Sequence, residues 1–213
     1  MMFAKGATPW FFIPLVPVAI LSMLAYLARA GPVLAVALIL LFLGFFMFLE
    51  VLMFVFFRDP ERPIGKGIVS AADGVVKRVV DNKGTGRIAV QVFMNVHNVH
   101  VNRAPFRGEI GRVRHRPGAH IPAYDKDSDK NERTVINIGT SIGEIKVTLI
   151  AGTIARRTVA WVRPGDNVKK GDRIGMIKFS SRVDVEMDAS KVRVVVEPGE
   201  KVLAGITKLA EVR

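Results

Sequence analysis

The chain has 213 residues, enough for one ordinary domain and a little more. Half of them are apolar and 23% are charged, yet residues 1 to 57 carry only Lys5, Arg29 and Glu50, so the remainder holds all but two of the 31 Lys and Arg, all but one of the 19 Asp and Glu, and +11 of the +12 net charge. The apolar content excludes a disordered chain, and the lack of cysteine excludes a disulfide framework, a thiol nucleophile and thiolate metal sites.

Pro9 to Ala28 is uncharged, and so is Pro32 to Leu49, which extends to Phe57 if Glu50 is tolerated. A membrane-crossing helix needs about 20 apolar residues. Both runs qualify, and Arg29-Ala30-Gly31 leaves only a tight turn between them. The expectation is a two-helix transmembrane hairpin over residues 1–57, with Pro14 and Pro17 kinking its first helix. Lys5 flanks one end and Arg58, Arg62 and Lys66 the other, so the positive-inside bias puts both ends on the cytoplasmic face of the cell membrane. Ala28-Arg29-Ala30 also mimics a signal-peptide cleavage site, but the apolar stretch is long for that and a second span follows at once.

Residues 58–213 keep no long helical period. Short Val- and Ile-rich runs stand between turn signals: Val75 to Val80, Ile88 to Phe93, Glu144 to Ile150 and Lys191 to Val196. Asp81-Asn82-Lys83-Gly84 and Arg163-Pro164-Gly165-Asp166 are turns by composition, and the polar stretch Tyr124 to Arg133 reads as a loop over a site. Pro164-Gly165-Asp166-Asn167-Val168 is echoed 34 residues later by Pro198-Gly199-Glu200-Lys201-Val202. Hairpins of this kind occur in lipoyl- and biotinyl-type sandwiches, and no lysine stands at a modifiable tip, so the repeat is architectural. The fold class expected is mainly β, a hybrid β-sandwich or barrel with lipoyl-like hairpins.

All four histidines, His97, His100, His115 and His120, fall within 24 residues. His97 and His100 point to opposite faces in a strand and converge in a turn or bulge. Two surface or core histidines and a zinc site are both open on this pattern. Asp73, among the small residues of Ser70-Ala71-Ala72-Asp73-Gly74, is either a turn residue or a buried carboxylate that orients a histidine. Ser180 and Ser181 interrupt a strand-like stretch without a Gly-x-Ser-x-Gly elbow. No phosphate loop or dinucleotide fingerprint is present.

Taken together, Phe57-Arg58-Asp59-Pro60-Glu61-Arg62, Ala72-Asp73-Gly74, the His97/His100 segment, Asn131-Glu132-Arg133, Ile154-Ala155-Arg156-Arg157 and the Ser180-Ser181 segment make the chain resemble the short, membrane-anchored phosphatidylserine decarboxylases, including their archaetidylserine relatives. The resemblance implies self-cleavage between 180 and 181 into a β chain (1–180) and an α chain (181–213). It implies that Ser181 becomes a covalently bound pyruvate (pyruvoyl) cofactor, with His100 as base, Asp73 as its orienting carboxylate and His97 as proton donor. Ser180 stands where the family usually has glycine, the residue that most easily adopts strained backbone. The implied substrate is a serine phospholipid in the membrane, converted to the ethanolamine lipid. The implied partners are that lipid, the two chains of one proenzyme and a homo-oligomer, with neither metal nor nucleic acid. The basic surface would press toward anionic head groups, each Lys or Arg near the leaflet being worth about 1 kcal/mol. The rival readings are a noncatalytic membrane adaptor on a lipoyl-like sandwich and a zinc hydrolase using His97 and His100.

Overall fold

A computed structural model describes residues 2–118, 131–152, 157–178 and 181–213. They form two compact units, Met1–Pro60 and Glu61–Arg213. In the first, a short strand β1 (Met2–Phe3) precedes α1 (Thr8–Leu27) and α2 (Val33–Phe56), and β2 (Arg58–Asp59) returns to pair with β1. The helices have 20 and 24 residues, or roughly 30 and 36 Å at 1.5 Å per residue, and both are long and apolar enough to cross a bilayer. Pro14 and Pro17 lie inside α1, which continues through them, and α2 continues through Glu50. Phe11 packs edge-on against Phe3 at 5.0 Å and beside Phe54 at 4.9 Å, fastening the start of α1 to the end of α2.

The second unit contains, in chain order, β3 (Ile68–Val69), β4 (Gly74–Asn82), β5 (Arg87–Met94), β6 (Val101–Arg103), β7 (Gly108–Arg116), β8 (Arg133–Thr140), β9 (Gly143–Ala151), β10 (Thr158–Ala160), β11 (Asn167–Val168), β12 (Arg173–Ile177), β13 (Ser181–Asp188), β14 (Val192–Val194), β15 (Lys201–Val202) and β16 (Lys208–Val212). The eight-stranded sheet runs β11-β7-β8-β9-β13-β5-β4-β15, and two three-stranded sheets run β10-β12-β6 and β14-β16-β3. Every pairing is antiparallel. Bulges at Val76/Arg78 in β4 and Ile110/Arg112 in β7 add local twist, which fits the curl of the large sheet into a half-barrel. Its inner face shares one apolar core with the small sheets, including Val92, Leu149 and Val185 from the large sheet, Ile174 from β12 and Leu209 from β16. The mainly β expectation and the two apolar leading helices therefore hold.

The architecture is an internal two-fold. β3-β4-β5 with β13-β14-β15-β16 forms one half, and β6 to β12 forms the other, with corresponding pairings in each. The two Pro-Gly-acid turns supply matching edge strands: Val168 pairs with Gly108, and Val202 pairs with Gly74. Gly165 and Gly199 hold φ near +90° and +98°, a region open to glycine, and the acid that follows each closes its turn: Asp166 accepts from Arg163 N–H at 2.7 Å, and Glu200 from Glu197 N–H at 3.0 Å. The repeat thus closes both edges of the sheet. The second half is inserted between β5 and β13 of the first. In the inserted half, Thr140 and Gly143 form the last pair of a tight hairpin. In the interrupted half the equivalent last pair is Met94 and Ser181.

Candidate active site

β13 lies between β5 and β9 in the middle of the sheet. Its side chains alternate, with Val183, Val185 and Met187 buried in the core and Asp184, Glu186 and Asp188 on the other face. Ser181, first in this strand, shares the parity of the core residues and is 0% exposed. Its register partners are Met94 and Ala151. Its hydroxyl donates to the Met94 sulfur at 3.3 Å, a weak acceptor. Asn102, on β6 and also fully buried, turns its amide nitrogen to the same sulfur at 3.9 Å.

The chain reaches Ser181 by way of β12, which runs antiparallel to β6 with Met176 opposite Val101. The Ile177 N–H donates to the His100 carbonyl at 3.3 Å, so the approach to residue 181 passes the His100 segment. Burial first, and the Arg157 guanidinium second, hold the Lys178 ammonium below the ordinary lysine pKa. Phe179 and Ser180 lie outside the described residues.

The His97/His100 segment forms a turn, closed by Asn98 N–H to Asn95 carbonyl at 2.9 Å and Asn95 N–H to the Asn98 side chain at 2.8 Å. The turn separates the two rings by depth: His97 is exposed and His100 is fully buried. His100 Nδ1 lies 2.8 Å from the Asn98 carbonyl. A carbonyl only accepts, so Nδ1 carries the hydrogen and Nε2 is the basic nitrogen.

Asp73 is buried as expected, but its partner is not a histidine. Its two oxygens take the Arg62 guanidinium in a bidentate pair, with Nη2 to Oδ2 at 2.8 Å, and Oδ1 also accepts the Ala204 N–H at 2.8 Å. The orienting contact on His100 comes from Asn98 instead. Arg62, counted among the basic residues flanking the second helix, is withdrawn into this pair, with only 8% of its side chain exposed. Gly74 follows because β4 starts hard against β5: a Cβ there would stand 2.0 Å from the Phe93 carbonyl oxygen, at φ +155°. Ala71 ties this corner to the site, its carbonyl accepting the Arg103 N–H at 2.9 Å, one residue from Asn102.

Asn131-Glu132-Arg133 braces the other side of Ser181. Asn131 donates to the Ala151 carbonyl at 2.8 Å, the Ala151 N–H donates to the Glu132 carbonyl at 2.9 Å, and the Glu132 side chain accepts the Thr158 N–H at 3.1 Å. His115 is exposed, 3.3 Å from Thr134 Oγ1. His120, most of the polar loop before Asn131, and Ile154-Ala155-Arg156 lie outside the described residues. Among the described residues no three His, Asp or Glu converge as metal ligands, so the zinc reading gains no support. A groove of about 470 Å³ lies along the opposite face of the large sheet. Glu186 there is neutralised by Arg87 at 3.1 Å and Lys146 at 2.6 Å, and none of the candidate catalytic residues lines it.

Met94 and Asn102 were missed by sequence reasoning, since a methionine ending a strand and an asparagine after a histidine carry no chemical signature. In the sequence Arg62 reads only as a basic residue flanking the second helix, without a role in the site.

The phosphatidylserine decarboxylase family model matches residues 49–210. A phosphatidylserine decarboxylase proenzyme of Streptomyces avermitilis is 45% identical over 97% of this chain and 92% of its own length. One of Thermobifida fusca is 42% identical over 97% and 91%. A Methanosarcina barkeri relative, named for archaetidylserine decarboxylation, is 40% identical over the whole of both chains. With a model match across the catalytic unit and relatives aligned end to end, the chain belongs to the phosphatidylserine decarboxylase family of decarboxylating lyases.

Proposed function

We propose that the chain is a proenzyme that cuts itself between Ser180 and Ser181 and then decarboxylates a serine phospholipid, with ester- or ether-linked tails, to the ethanolamine lipid. The observation that carries this reading is a fully buried serine hydroxyl at the first residue of a central strand, bonded only to a thioether among the described residues, at the end of a chain path that runs past His100.

His100 Nε2 takes the Ser181 Oγ proton as Oγ attacks the Ser180 carbonyl carbon. The carbon–oxygen bond forms, the peptide carbon–nitrogen bond breaks, and the proton passes to the Ser181 nitrogen. Loss of the Ser181 Cα proton then expels the new ester oxygen, leaving a carboxylate on Ser180 and a carbon–carbon double bond at 181. One water adds and one ammonia leaves. Base assistance of this kind contributes about 10²–10⁴-fold.

The resulting pyruvoyl group has the same three carbons as the serine, so the buried seat that accepts Ser181 beside Met94 accepts it. It would be covalently held at the head of β13 and would supply a ketone for the lipid amine and an electron sink for carbon dioxide loss. His97, in the turn after β5, is assigned the proton delivered to the carbon that loses the carboxylate. Asp73 is assigned a positioning role: with Arg62 and Ala204 it fixes the corner whose Ala71 carbonyl holds the strand bearing Asn102. The two apolar helices are assigned to the cell membrane with both ends and the catalytic unit on the cytoplasmic side, where the substrate head group lies.

The test is mass spectrometry of the purified chain on denaturing separation. The expected result is a fragment spanning 181–213 whose first residue has lost its amino group and carries a carbonyl that hydroxylamine traps. Ser181→Ala is expected to give one uncut, inactive chain. An active Ser181→Ala variant, or a fragment starting with an ordinary serine amine, overturns the reading.

A further inference from the structure

We propose that Asn102 is a substrate-contacting residue of this site: its side-chain oxygen, buried one sulfur atom away from Ser181, accepts a hydrogen bond from the amine of the serine head group. This rests on the pyruvoyl reading above. Asn102 sits on β6, fully buried, opposite Gly175 of β12. Its Nδ2 faces the Met94 sulfur at 3.9 Å, and the Ser181 hydroxyl faces that sulfur from another side at 3.3 Å. A thioether only accepts, so the amide hydrogens belong on the sulfur side and Oδ1 is turned away from it. Among the described residues Oδ1 has no hydrogen-bond partner at all.

An unsatisfied acceptor in a core costs free energy on the scale of a full hydrogen bond, and native structures carry few. An apolar side chain would fill the place without that cost. Val101 beside it and Ile68, which holds the corresponding position on β3 in the other half of the two-fold, are both fully buried apolar residues. The Ser181 hydroxyl, which shares the Met94 sulfur with Asn102, is a donor spent on that sulfur. Once Ser181 becomes a ketone that donor is gone, because a ketone only accepts. The group the reaction then brings to residue 181 is a nitrogen bearing hydrogens. A carboxamide suits it better than a carboxylate would, since it binds the amine without repelling the carboxylate of the same head group. The empty acceptor in the uncut chain therefore marks a place kept for the substrate.

The test compares full-length parent, Asn102→Leu and Asn102→Asp, with vesicles containing a serine phospholipid as probe. Leu is close in volume and suits the apolar surroundings, and Asp keeps an acceptor oxygen. Three quantities are read: the fraction self-cleaved, the hydroxylamine-trapped carbonyl on residue 181, and the mass of lipid amine fixed to the α chain by cyanoborohydride. Asn102→Leu is expected to cleave and to carry the carbonyl, while amine fixation and kcat/KM fall about 10- to 100-fold. Asn102→Asp is expected to lie between it and the parent. Cleaved, carbonyl-bearing Asn102→Leu that fixes amine at the parent's rate overturns the assignment. So does an Asn102→Leu that folds but stays uncut, which would place Asn102 in processing instead. A parent protein with no trapped carbonyl removes the pyruvoyl reading itself, and this one with it.

Discussion

The Met94 sulfur is a poor acceptor, and it holds the Ser181 hydroxyl, the proposed nucleophile. That weak bond shields the hydroxyl without competing strongly with a base. Met94→Leu, a volume-conserving change expected to cost under about 1.5 kcal/mol, should therefore leave self-cleavage intact. Met94→Gln, which offers a full-strength carbonyl acceptor, should slow it. Pulse-labelled chain sampled over time on denaturing gels compares them, and equal rates for Gln and Met would show that the hydroxyl's partner is irrelevant. The Arg62–Asp73 pair makes a second prediction at this scale. Both side chains are almost wholly buried, and removing one partner strands the other charge. Arg62→Met should cost about 3–5 kcal/mol, and Arg62→Met with Asp73→Asn less than the sum of the two single changes. Urea unfolding in detergent measures both. The outer charge Glu211 behaves differently. Lys208 first and Arg193 second hold its carboxyl at about 2, well below its ordinary 4.5. Its contribution is present above pH 4.5 and is lost as pH falls toward 2, so Glu211→Gln should show a flatter fall in stability over that window. The pair is exposed, so salt should shrink the difference.

At the scale of strands, the proposed cut falls at the corner of a hairpin that the inserted half has opened, next to the last pair, Met94 with Ser181. Breaking the chain there removes no rung from either ladder. The α chain still contributes β13 between β5 and β9, β15 on β4 and β16 on β3. Val183, Val185 and Met187 are also buried in the shared core, each worth about 1.5–3 kcal/mol. The cleaved enzyme should thus migrate as one particle on size exclusion and separate only in denaturant; loss of the 181–213 fragment under native conditions would contradict this topology. Gly74→Ala tests the same corner from the other side. Its Cβ would meet the Phe93 carbonyl, and either β4 retreats from β5 or strain of about 1–3 kcal/mol is stored. Cleavage should slow, because Met94 ends the strand that β4 supports. Much of this scale was legible beforehand: four Val- and Ile-rich runs became strands, and the repeated Pro-Gly-acid turns became edges. That the repeat belongs to whole halves, one inserted in the other, was not legible, because the pairing joins residues as far apart in the chain as Ile68 and Ala210.

For the molecule as a whole, an apolar pair of helices and a strongly basic catalytic unit support the proposed membrane location. If both ends face the cytoplasm, trypsin should reach the Lys- and Arg-rich unit in inverted membrane vesicles and leave it protected in right-side-out ones. The opposite pattern would reverse the orientation. Surface cations near a leaflet act through a field that salt screens within about 8–10 Å at ordinary ionic strength. Turnover on vesicles rich in anionic lipid should therefore decline as salt is raised, by an increase in KM more than a loss of kcat.

Composition and order of residues by themselves settled the apolar leader, the mainly β catalytic unit and the family, because these depend on local periodicity and on short runs of adjacent residues. The tertiary structure decided what each of those residues touches: that Asp73 belongs to Arg62, that Asn98 sets the tautomer of His100, that one turn parts His97 from His100 by depth, and that Met94 and Asn102 complete the seat of Ser181. Such contacts join strands far apart in the chain, and a hydrogen bond depends on distance and direction in space, which neighbouring letters do not encode.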